Sequence, residues 1–208
     1  MTIGRLMQSF ASSKMVRPLR QQRSRARCWA LLLACLFLVL PVQSQTAYTP
    51  SDVEAAYLYN FGRFIHWPAD AAGTVPASFA ICILGDDPFG GKLDALIANE
   101  SIQSRPILIR RISAASAATG CQIVYIGTSE QARLSKDIAD LQKAQTLTVS
   151  SLPHFLEHGG MIQFLLQGNN VRFSVNLSSA GQAGLELSSE LLKVAVQVYS
   201  KPMQEEKP

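Results

Sequence analysis

The segment SDVEAAYLYNFGRFIHWP, residues 51–68, carries the clearest helical pattern in the sequence. Its apolar side chains recur every three or four residues, which predicts an amphipathic helix. The face that we expect to pack against a sheet comprises Val53, Ala56, Tyr57, Phe61 and Phe64. Ser51 and Glu54 have the spacing of a capping box, which predicts the start of the helix. Pro68 disfavours helical geometry at the residue before it, so the helix is predicted to end near His66.

The middle of the chain alternates between short apolar runs and helical patterns. The predicted strands are residues 78–84, 105–112, 121–126 and 146–149. One helical pattern begins near Pro88, and a second covers residues 130–143. Strands that alternate with helices across short loops are typical of a parallel sheet. The sequence therefore predicts the α/β class, with a mostly parallel sheet flanked by helices on both faces.

Two further apolar runs, residues 161–167 and 171–177, are separated by Gly-Asn-Asn. This spacing predicts a C-terminal antiparallel β-hairpin. Polar and apolar residues alternate in its second strand, which predicts that Arg172, Ser174 and Asn176 face solvent. The last predicted element is a helix over residues 188–199. Its inward side chains are expected to be Leu191, Leu192, Ala195 and Val198.

The N-terminal region, residues 1–44, has the pattern of a secretory signal peptide. Seven basic residues and no acidic residue fall within residues 1–28, and an uncharged apolar run of twelve covers residues 29–40. A small-residue cleavage site follows this run. Twelve apolar residues are too few for a comfortable membrane span, which needs about 20. We therefore expect a cleaved, periplasmic protein with a single domain over residues 45–208.

Two alternatives concern the same region. Met15 is a second candidate for the start of the chain. The sequence LLAC at residues 32–35 resembles the lipobox of bacterial lipoproteins, but more apolar residues follow the cysteine than a lipobox has. The first alternative shortens the signal peptide, and the second predicts a lipid anchor.

Signal removal changes the net charge. It takes seven of the 19 basic residues and leaves 12, against 15 acidic residues. The mature chain is therefore weakly acidic. The basic cluster is a targeting signal, so the sequence does not indicate binding to nucleic acid.

Cysteine usage agrees with export. Cys28 and Cys35 belong to the signal region, which leaves Cys82 and Cys121 in the mature chain. Two cysteines in an oxidising compartment favour one disulfide, and two buried thiols are the alternative. A bridge that closes a loop of about 40 residues is worth roughly 4 kcal/mol.

The sequence gives no support for an enzyme, a metal site or a cofactor. Asp86 and Asp87 are adjacent and lack a third ligand, so we expect them to form a turn that caps the next helix. The three histidines have no spacing that suggests metal ligands. A hydrolase that uses Ser129 or Ser150 is an alternative, although neither serine lies in a nucleophile motif.

Binding is the remaining function, and seven residues are candidates for it. Trp67, Phe89 and Phe155 lie in or beside loops, where a large apolar side chain has no evident place in the core. Arginines near the loops can frame an acidic partner. The candidate binding residues are Arg63, His66, Trp67, Phe89, His154, Phe155 and Arg172. Packing or a solvated charge is the alternative for each of them.

Several segments of the mature chain resemble one family. The segments are AAYLYNFGRFIHWP at 55–68, FAICILGDDPFGGKLDAL at 79–96, GCQIVYIGTSE at 120–130, LTVSSLPHFLEHGGMIQFLLQGNNVRFSVNL at 147–177 and AGLELSSELLKVA at 183–195. In motif, order and spacing they resemble the YfiR family of periplasmic repressors. The likeness covers nearly the whole mature chain.

The resemblance implies a regulator and not an enzyme. YfiR-like proteins bind the periplasmic domain of an inner-membrane diguanylate cyclase of the YfiN type and hold its cytoplasmic domain inactive. An outer-membrane lipoprotein of the YfiB type sequesters the repressor. Cyclic-di-GMP, exopolysaccharide production and biofilm formation then rise. A small molecule that modulates this binding is the alternative within the same setting.

The resemblance also implies a homodimer and a disulfide between Cys82 and Cys121. A second disulfide of the family would lie within residues 154–164. This sequence has no cysteine there. Regulation that depends on that second bridge is therefore not expected.

Overall fold

The structure, a computed structural model, describes residues 48–67 and 76–201. The described residues belong to the second of the two units into which the chain divides, Ala47–Pro208. The predicted signal peptide, residues 1–44, lies outside the described residues. Within the described ranges, none of the helices has the length and apolar character that crossing a membrane requires.

Helices and strands alternate along the described chain. The helices are α1 (Pro50–Phe64), α2 (Gly91–Ile97), α3 (Leu134–Leu141), α4 (Leu177–Gln182) and α5 (Ser189–Val194), with 3-10 turns at Ala115–Ala118, Thr128–Arg133 and Gln142–Ala144. The strands are β1 (Ile65–His66), β2 (Phe79–Leu84), β3 (Ser101–Ile102), β4 (Arg105–Ile112), β5 (Ile123–Ile126), β6 (Leu147–Ser150), β7 (Ile162–Gln167), β8 (Asn170–Asn176), β9 (Glu186–Leu187) and β10 (Gln197–Tyr199).

Eight of these strands form one sheet in the order β10-β8-β7-β6-β5-β2-β4-β3. The pairs from β4 through β2, β5 and β6 to β7 are parallel, and β7 and β8 form the antiparallel hairpin. One apolar cluster packs α1, α2 and α5 on one face, and a second packs α3 on the other. The predicted α/β fold, its helices on both faces and its hairpin are confirmed.

Helix α1 starts two residues earlier than predicted. Thr49 is its N-cap, its side chain accepts a hydrogen bond from the Asp52 backbone N–H, and the Asp52 carboxylate accepts one from the Thr49 backbone N–H. The capping box at Ser51 and Glu54 is therefore wrong. Pro50 takes the first helical position, where its missing N–H costs nothing. Glu54 is left free to contact the sheet.

The buried stripe of α1 is rotated from the predicted face. Its fully buried positions are Ala55, Leu58, Phe61 and Gly62. Phe64, expected to be inside, is 39% exposed. The helix lies in the concave side of a curled sheet. Phe61 packs on Phe164 and Phe173 of the hairpin, while Gly62 lies directly against Phe79 and Ile102 near the other end of the strand order.

The C-terminal helix is also shorter than predicted. It ends at Val194, and residues 197–199 form β10, which pairs in parallel with β8. Ala195 is extended, and the Val196 N–H donates to the Phe173 carbonyl. The valines and tyrosine here suit a half-buried edge strand better than a helix. The predicted inward positions Ala195 and Val198 are therefore not helical.

Two polar residues of β8 are buried, although the sequence predicts that they face solvent. Ser174 is 4% and Asn176 is 2% exposed, and only Arg172 of the three faces solvent. The Asn176 side chain accepts from the Ser179 N–H and donates to the Leu156 carbonyl. The first bond caps α4, and the second is available because the loop after β6 folds over this face. Alternation alone does not reveal such a cover.

The predicted disulfide is present between Cys82 and Cys121, with a Cα–Cα distance of 5.9 Å. It joins Cys82 in β2 to Cys121, just before β5, inside the apolar cluster on the α3 face. Arg110 of β4 covers it. The guanidinium donates to the carbonyls of Ala117 and Thr119 and lies 3.7 Å from the Cys121 Sγ. A bridge of this kind fits an oxidising compartment.

Candidate functional site

The edge of the sheet where α/β folds usually bind ligands is closed in this protein. Ligands commonly sit where the strand order reverses, which is here between the carboxyl ends of β2 and β5. Gly85, with φ of +77°, lies against Ser129 and Glu130 with no room for a side chain. The Asp86 N–H donates to the Ser129 Oγ at 3.0 Å. Gly127 also touches the Asp86 backbone.

Asp87 forms the turn that the sequence predicts, but it does not cap the next helix, whose N-cap is Gly90 without a side-chain cap. Its Oδ1 accepts from the N–H groups of Phe89 and Gly90 at 2.8 and 3.1 Å. Its Oδ2 pairs with Arg111 at 2.8 Å, and the same guanidinium pairs with Asp94. Both oxygens of the Asp87 carboxylate therefore have partners. Among residues 48–67 and 76–201 no group of three acidic, histidine or cysteine side chains is placed to hold a metal.

The serines considered as nucleophiles are hydrogen-bonded to groups other than histidine. The Ser150 Oγ is buried and donates to the Ile126 carbonyl at 2.7 Å. The Ser129 Oγ donates to the Glu130 carboxylate at 3.1 Å. Among the described residues neither hydroxyl contacts a histidine, and the Glu130 carboxylate that accepts from Ser129 is neutralised by its ion pair with Arg133. The geometry gives no support to the hydrolase alternative.

Glu54 links α1 to the carboxyl ends of β5 and β6. Its Oε1 accepts a hydrogen bond from the Ser151 Oγ at 2.9 Å, and Ser151 lies 3.3 Å from the Tyr125 hydroxyl. Burial raises the pKa of Glu54, although its hydrogen bonds to Ser151 and Tyr125 oppose that shift. Burial likewise raises the pKa of Tyr125 to about 12. Glu54 is thus a partly buried acid, and the described groups that shift its pKa include no cation.

Glu54→Gln is expected to stabilise the protein at neutral pH by on the order of 1 kcal/mol, because it removes a partly buried charge and keeps an oxygen for Ser151. The folded state holds the Glu54 proton more tightly than the unfolded state. Wild-type stability should therefore fall as pH rises through the Glu54 pKa, and the variant should lack that part of the fall. Urea unfolding at about pH 4 and pH 8 measures how the free energy of unfolding of each protein changes with pH. An equal change in the two proteins would contradict this view of Glu54.

An open apolar groove lies on the exposed side of α1, where it meets α5. It has a volume of about 370 Å³. Its lining residues are Tyr57, Asn60, Phe64, Glu190, Leu191 and Val194. A smaller hollow of about 130 Å³ lies on the other side of Phe64, between β1 and β9. Phe64 lines both, so the two form one surface, which we call the Phe64 groove.

The residues at the base of the groove are held by aromatic packing and by a backbone hydrogen bond. The Tyr57 ring packs edge-on against Phe173 at 5.3 Å and lies 5.9 Å from Phe164. The Ser188 N–H donates to the Phe64 carbonyl at 3.0 Å, and the Ser188 side chain caps α5. The end of α1 and the start of α5 are therefore fixed to each other. A surface that is already in place loses little entropy when a partner binds.

The rim of the groove carries two acidic residues. Glu186 pairs in register with His66 across β1 and β9, and Glu190 stands at the start of α5. Arg63, next to Phe64 in α1, does not line the groove and has its guanidinium 5.7 Å from the Tyr59 ring. Val194, 56% exposed, extends the apolar surface beyond α1. An apolar centre with a charged rim is the usual anatomy of a protein-binding site.

Three of the seven candidate binding residues lie at the end of α1, and one of them, His66, lines the smaller hollow of the groove. Arg63 is exposed but does not line the groove. Trp67 is half-buried, packs edge-on against Phe79 at 5.3 Å and donates its Nε1–H to the Gly62 carbonyl. Trp67 thus holds the end of α1 in place.

The other four candidates lie elsewhere. Phe89 is 2% exposed and packs against Tyr125, and Phe155 is completely buried next to Gly160. The expectation that these two phenylalanines lack a place in the core is wrong, because both loops fold back onto the sheet. His154 is exposed and hydrogen-bonds Glu157, and Arg172 is exposed on β8. Neither His154 nor Arg172 lines the Phe64 groove.

The sequence interpretation missed the half of the groove that the C-terminal region supplies. Glu186, Leu187 and Ser188 form β9 and the α5 cap, and Val194 ends α5. Val194 is the residue that points to this half of the groove in the sequence. It is apolar but falls outside the inward face of the predicted helix. An apolar residue on the polar face of a helix marks a possible contact surface.

The described residues form an α/β domain with a buried disulfide and an open apolar groove. Residues 51–196 match the YfiR/HmsC-like family, and the chain belongs to that family. Family membership confirms the sequence resemblance. It suggests a periplasmic regulatory role in cyclic-di-GMP systems. The family consists of regulators and not of known enzymes.

Two solved structures are similar to this chain, and the first of them shows a similar fold. A conserved domain protein from Vibrio cholerae O1 biovar eltor str. N16961 has a TM-score of 0.52 and 10% identity over 72% of this chain and 60% of that one. The ABC domain in complex with L-Trp from Streptococcus pneumonia has a TM-score of 0.49 and 10% identity over 73% and 61%. This chain thus spans about three fifths of each. No curated protein matches it.

Proposed function

We propose that this protein is a periplasmic repressor of an inner-membrane diguanylate cyclase. It binds the cyclase's periplasmic domain and keeps the cytoplasmic catalytic domain inactive, which lowers cyclic-di-GMP and restrains exopolysaccharide and biofilm production. A YfiB-like outer-membrane lipoprotein relieves repression by sequestering it. Family membership supports the regulatory role, and the disulfide is consistent with the periplasm. A homodimer is part of the proposal.

The observation that carries this proposal is the Phe64 groove. Phe64 and Val194 are 39% and 56% exposed, and they lie on a rigid aromatic floor next to charged residues. Large exposed apolar side chains that cluster on one surface commonly mark a contact with another protein. We assign this groove to the cyclase, with His66 at its rim and Arg63 beside Phe64. His154 and Arg172 remain candidates for contacts outside it.

A repressor of this kind needs differential binding and no catalytic groups. It must bind the inactive state of the cyclase more tightly than the active state. A difference of about 3 kcal/mol shifts the balance between the two states roughly 150-fold. Burial of a few large apolar side chains, each worth about 2 kcal/mol, supplies an energy of this size.

A small-molecule sensor is the second candidate function. The groove volume of about 370 Å³ falls within the range of small-ligand pockets, and its lining is mainly apolar. A ligand in the groove would compete with the partner protein. A thermal-shift screen of periplasmic metabolites tests this role. Stabilisation of wild type but not of a Phe64→Glu variant would favour it, and no stabilisation by any compound would count against it.

Deletion of the gene is expected to raise intracellular cyclic-di-GMP in a strain that contains a cyclase with a periplasmic domain. Expression of the full chain from a plasmid should restore the lower level. The same deletion in a strain that also lacks the cyclase should have no effect, which provides the control. Quantification of cyclic-di-GMP by mass spectrometry measures all three. Unchanged cyclic-di-GMP in the first strain would exclude the proposed role.

A further inference from the structure

Strand β4 leaves most of its outer edge without a partner strand. Its inner edge pairs in parallel with β2 as far as Ile112. On the outer side β3 pairs only with Arg105 and Pro106. No other strand of the described chain pairs with β4 there, so residues 108–112 form an open sheet edge. This edge is about 17 Å long, which is the length of an ordinary short strand.

The backbone of this edge presents hydrogen-bonding groups to the outside. The Ile112 carbonyl accepts from the Gly85 N–H, which places the backbone groups of Ile112 on the β2 side. These groups change side at each residue of a strand, so those of Ile109 and Arg111 point away from β2. Both residues thus offer an N–H and a carbonyl to an added strand.

The side chains on the disulfide face of this edge are exposed. Leu108 is 49% exposed, and Pro106 and Arg110 are exposed on either side of it. Alternate side chains of a strand share a face, so these three form one row. The contact of Arg110 with the Cys121 Sγ places the row on the face that holds the disulfide. A large apolar side chain on an open edge favours pairing with another chain.

The arginines of β4 do not guard the edge against pairing. Edge strands that stay unpaired commonly carry charged side chains that are free to cover the edge. Here Arg111 is held by Asp87 and Asp94, and Arg110 is held by two backbone carbonyls of residues 117–119. Both side chains are therefore fixed within the domain, and the backbone of the edge is left accessible.

The charge of this edge favours an acidic occupant. Residues 101–129 contain three arginines and no acidic residue. Arg111 has carboxylate partners, but among the described residues Arg105 donates to a glutamine and Arg110 to backbone carbonyls. A second copy of β4 would add its own arginines to this edge, and like charges across a strand pair are destabilising. An acidic strand would instead offset the charge of Arg110.

We propose that the open edge of β4 binds an extended acidic segment of another protein, which adds to the sheet as a further strand. The backbone groups of Ile109 and Arg111 hold the segment. On the disulfide face an apolar side chain of the segment packs against Leu108, and an aspartate or glutamate two residues away meets Arg110. The site is separate from the Phe64 groove, which no residue of β4 lines. It does not depend on the proposed repressor role.

The probe is the end-blocked peptide Thr-Leu-Thr-Glu-Thr-Leu-Thr, which places leucine and glutamate on one face and has the same sequence in both directions. NMR of the isotope-labelled, oxidised full chain follows the titration. Saturable shifts are expected for the amides of residues 108–112 and not for those that line the Phe64 groove. The same peptide with lysine in place of glutamate should bind about fivefold more weakly. Equal binding of both peptides, or no binding of either, would overturn the proposal.

Two substitutions test the side-chain contacts. Leu108→Glu should weaken binding of the glutamate peptide at least about tenfold, because it removes the apolar contact and adds a like charge. Arg110→Gln keeps donors for the carbonyls of residues 117–119 and should abolish the preference for the glutamate peptide.

Leu166→Glu is the matched control for Leu108→Glu. Leu166 is 63% exposed on β7, which β6, β5 and β2 separate from β4 in the strand order. The Leu166→Glu protein should bind the glutamate peptide as the wild type does. A loss of binding in both leucine variants, or in neither, would overturn the proposal.

Modified peptides test strand addition on the wild-type protein, so this result does not depend on the folding of any variant. Methyl groups on the backbone nitrogens of alternate peptide residues block the N–H groups of one edge only. Of the two alternate sets, one should abolish binding and the other should leave it intact. Equal binding of the two methylated peptides would overturn the proposal. A wild-type dimer that Leu108→Glu converts into a monomer in sedimentation would also overturn it, because a second copy would then occupy the edge.

Discussion

Replacement of both Cys82 and Cys121 by alanine is expected to lower the free energy of unfolding by about 4 kcal/mol. The bridge spans a sequence separation of 39 residues, and its loss restores the freedom of that loop in the unfolded chain. Both cysteines are almost fully buried, at 0% and 3% exposure, so loss of packing adds to the effect. Urea unfolding of the oxidised wild type and of the double variant measures the difference.

Reductant provides the matched control for the disulfide. When it is present during unfolding and refolding, the wild-type curve should move toward that of the double variant, and the variant curve should stay in place. Equal stability of the oxidised and reduced wild type would contradict the structural role assigned to the bridge. The result also tests the proposed periplasmic location, because a domain that depends on a disulfide for its stability needs an oxidising environment.

Phe64→Glu is expected to abolish repression of the cyclase without unfolding the protein. Phe64 is 39% exposed and lines both hollows of the groove, so a carboxylate there places a charge where apolar contact is needed. Loss of one central anchor commonly costs about 2 kcal/mol or more, which weakens binding at least about 30-fold. Cyclic-di-GMP in cells that produce the variant should rise to the level of the deletion strain.

Leu96→Glu is the matched control for this substitution. Leu96 lies on α2, is 42% exposed and does not line the groove. It tests for a general effect of placing a glutamate on an exposed apolar helix position. The Leu96→Glu protein should repress as the wild type does. Loss of repression in both variants, or in neither, would contradict the assignment of the groove.

Local pattern was sufficient for most of the sheet. The strands β2, β4, β5 and β6 are short apolar runs between turn signals, and Gly168 with its neighbours marks the hairpin. The pairing of Cys82 with Cys121 also followed from the sequence, because only these two cysteines lie outside the predicted signal peptide. These features depend on residues close together in the chain or on simple counting.

The errors have a common physical cause in contacts between distant segments. The face of α1 is rotated because the curled sheet surrounds it from both sides, so Leu58 is buried and Phe64 is exposed. Phe155 enters the core because Gly160 lets the loop after β6 fold closely over it. Helical or strand periodicity carries no information on which loop covers which face.

The site was predicted in part for the same reason. The sequence indicated the end of α1 as a candidate site, because the segment with Arg63, His66 and Trp67 has more polar and aromatic side chains than packing requires. The half contributed by β9 and α5 was missed, because residues 186–194 meet α1 only in the folded chain. The groove exists only where these two segments, about 120 residues apart in the sequence, come together.

The most direct test of the central claim is a binding titration. The purified full chain is titrated calorimetrically into the periplasmic domain of the partner cyclase, and Phe64→Glu and Leu96→Glu are titrated in parallel. Direct repression through the groove predicts saturable binding by the wild type and by Leu96→Glu, with at least about 30-fold weaker binding by Phe64→Glu. No binding by the wild type, or equal affinity for all three proteins, would contradict it.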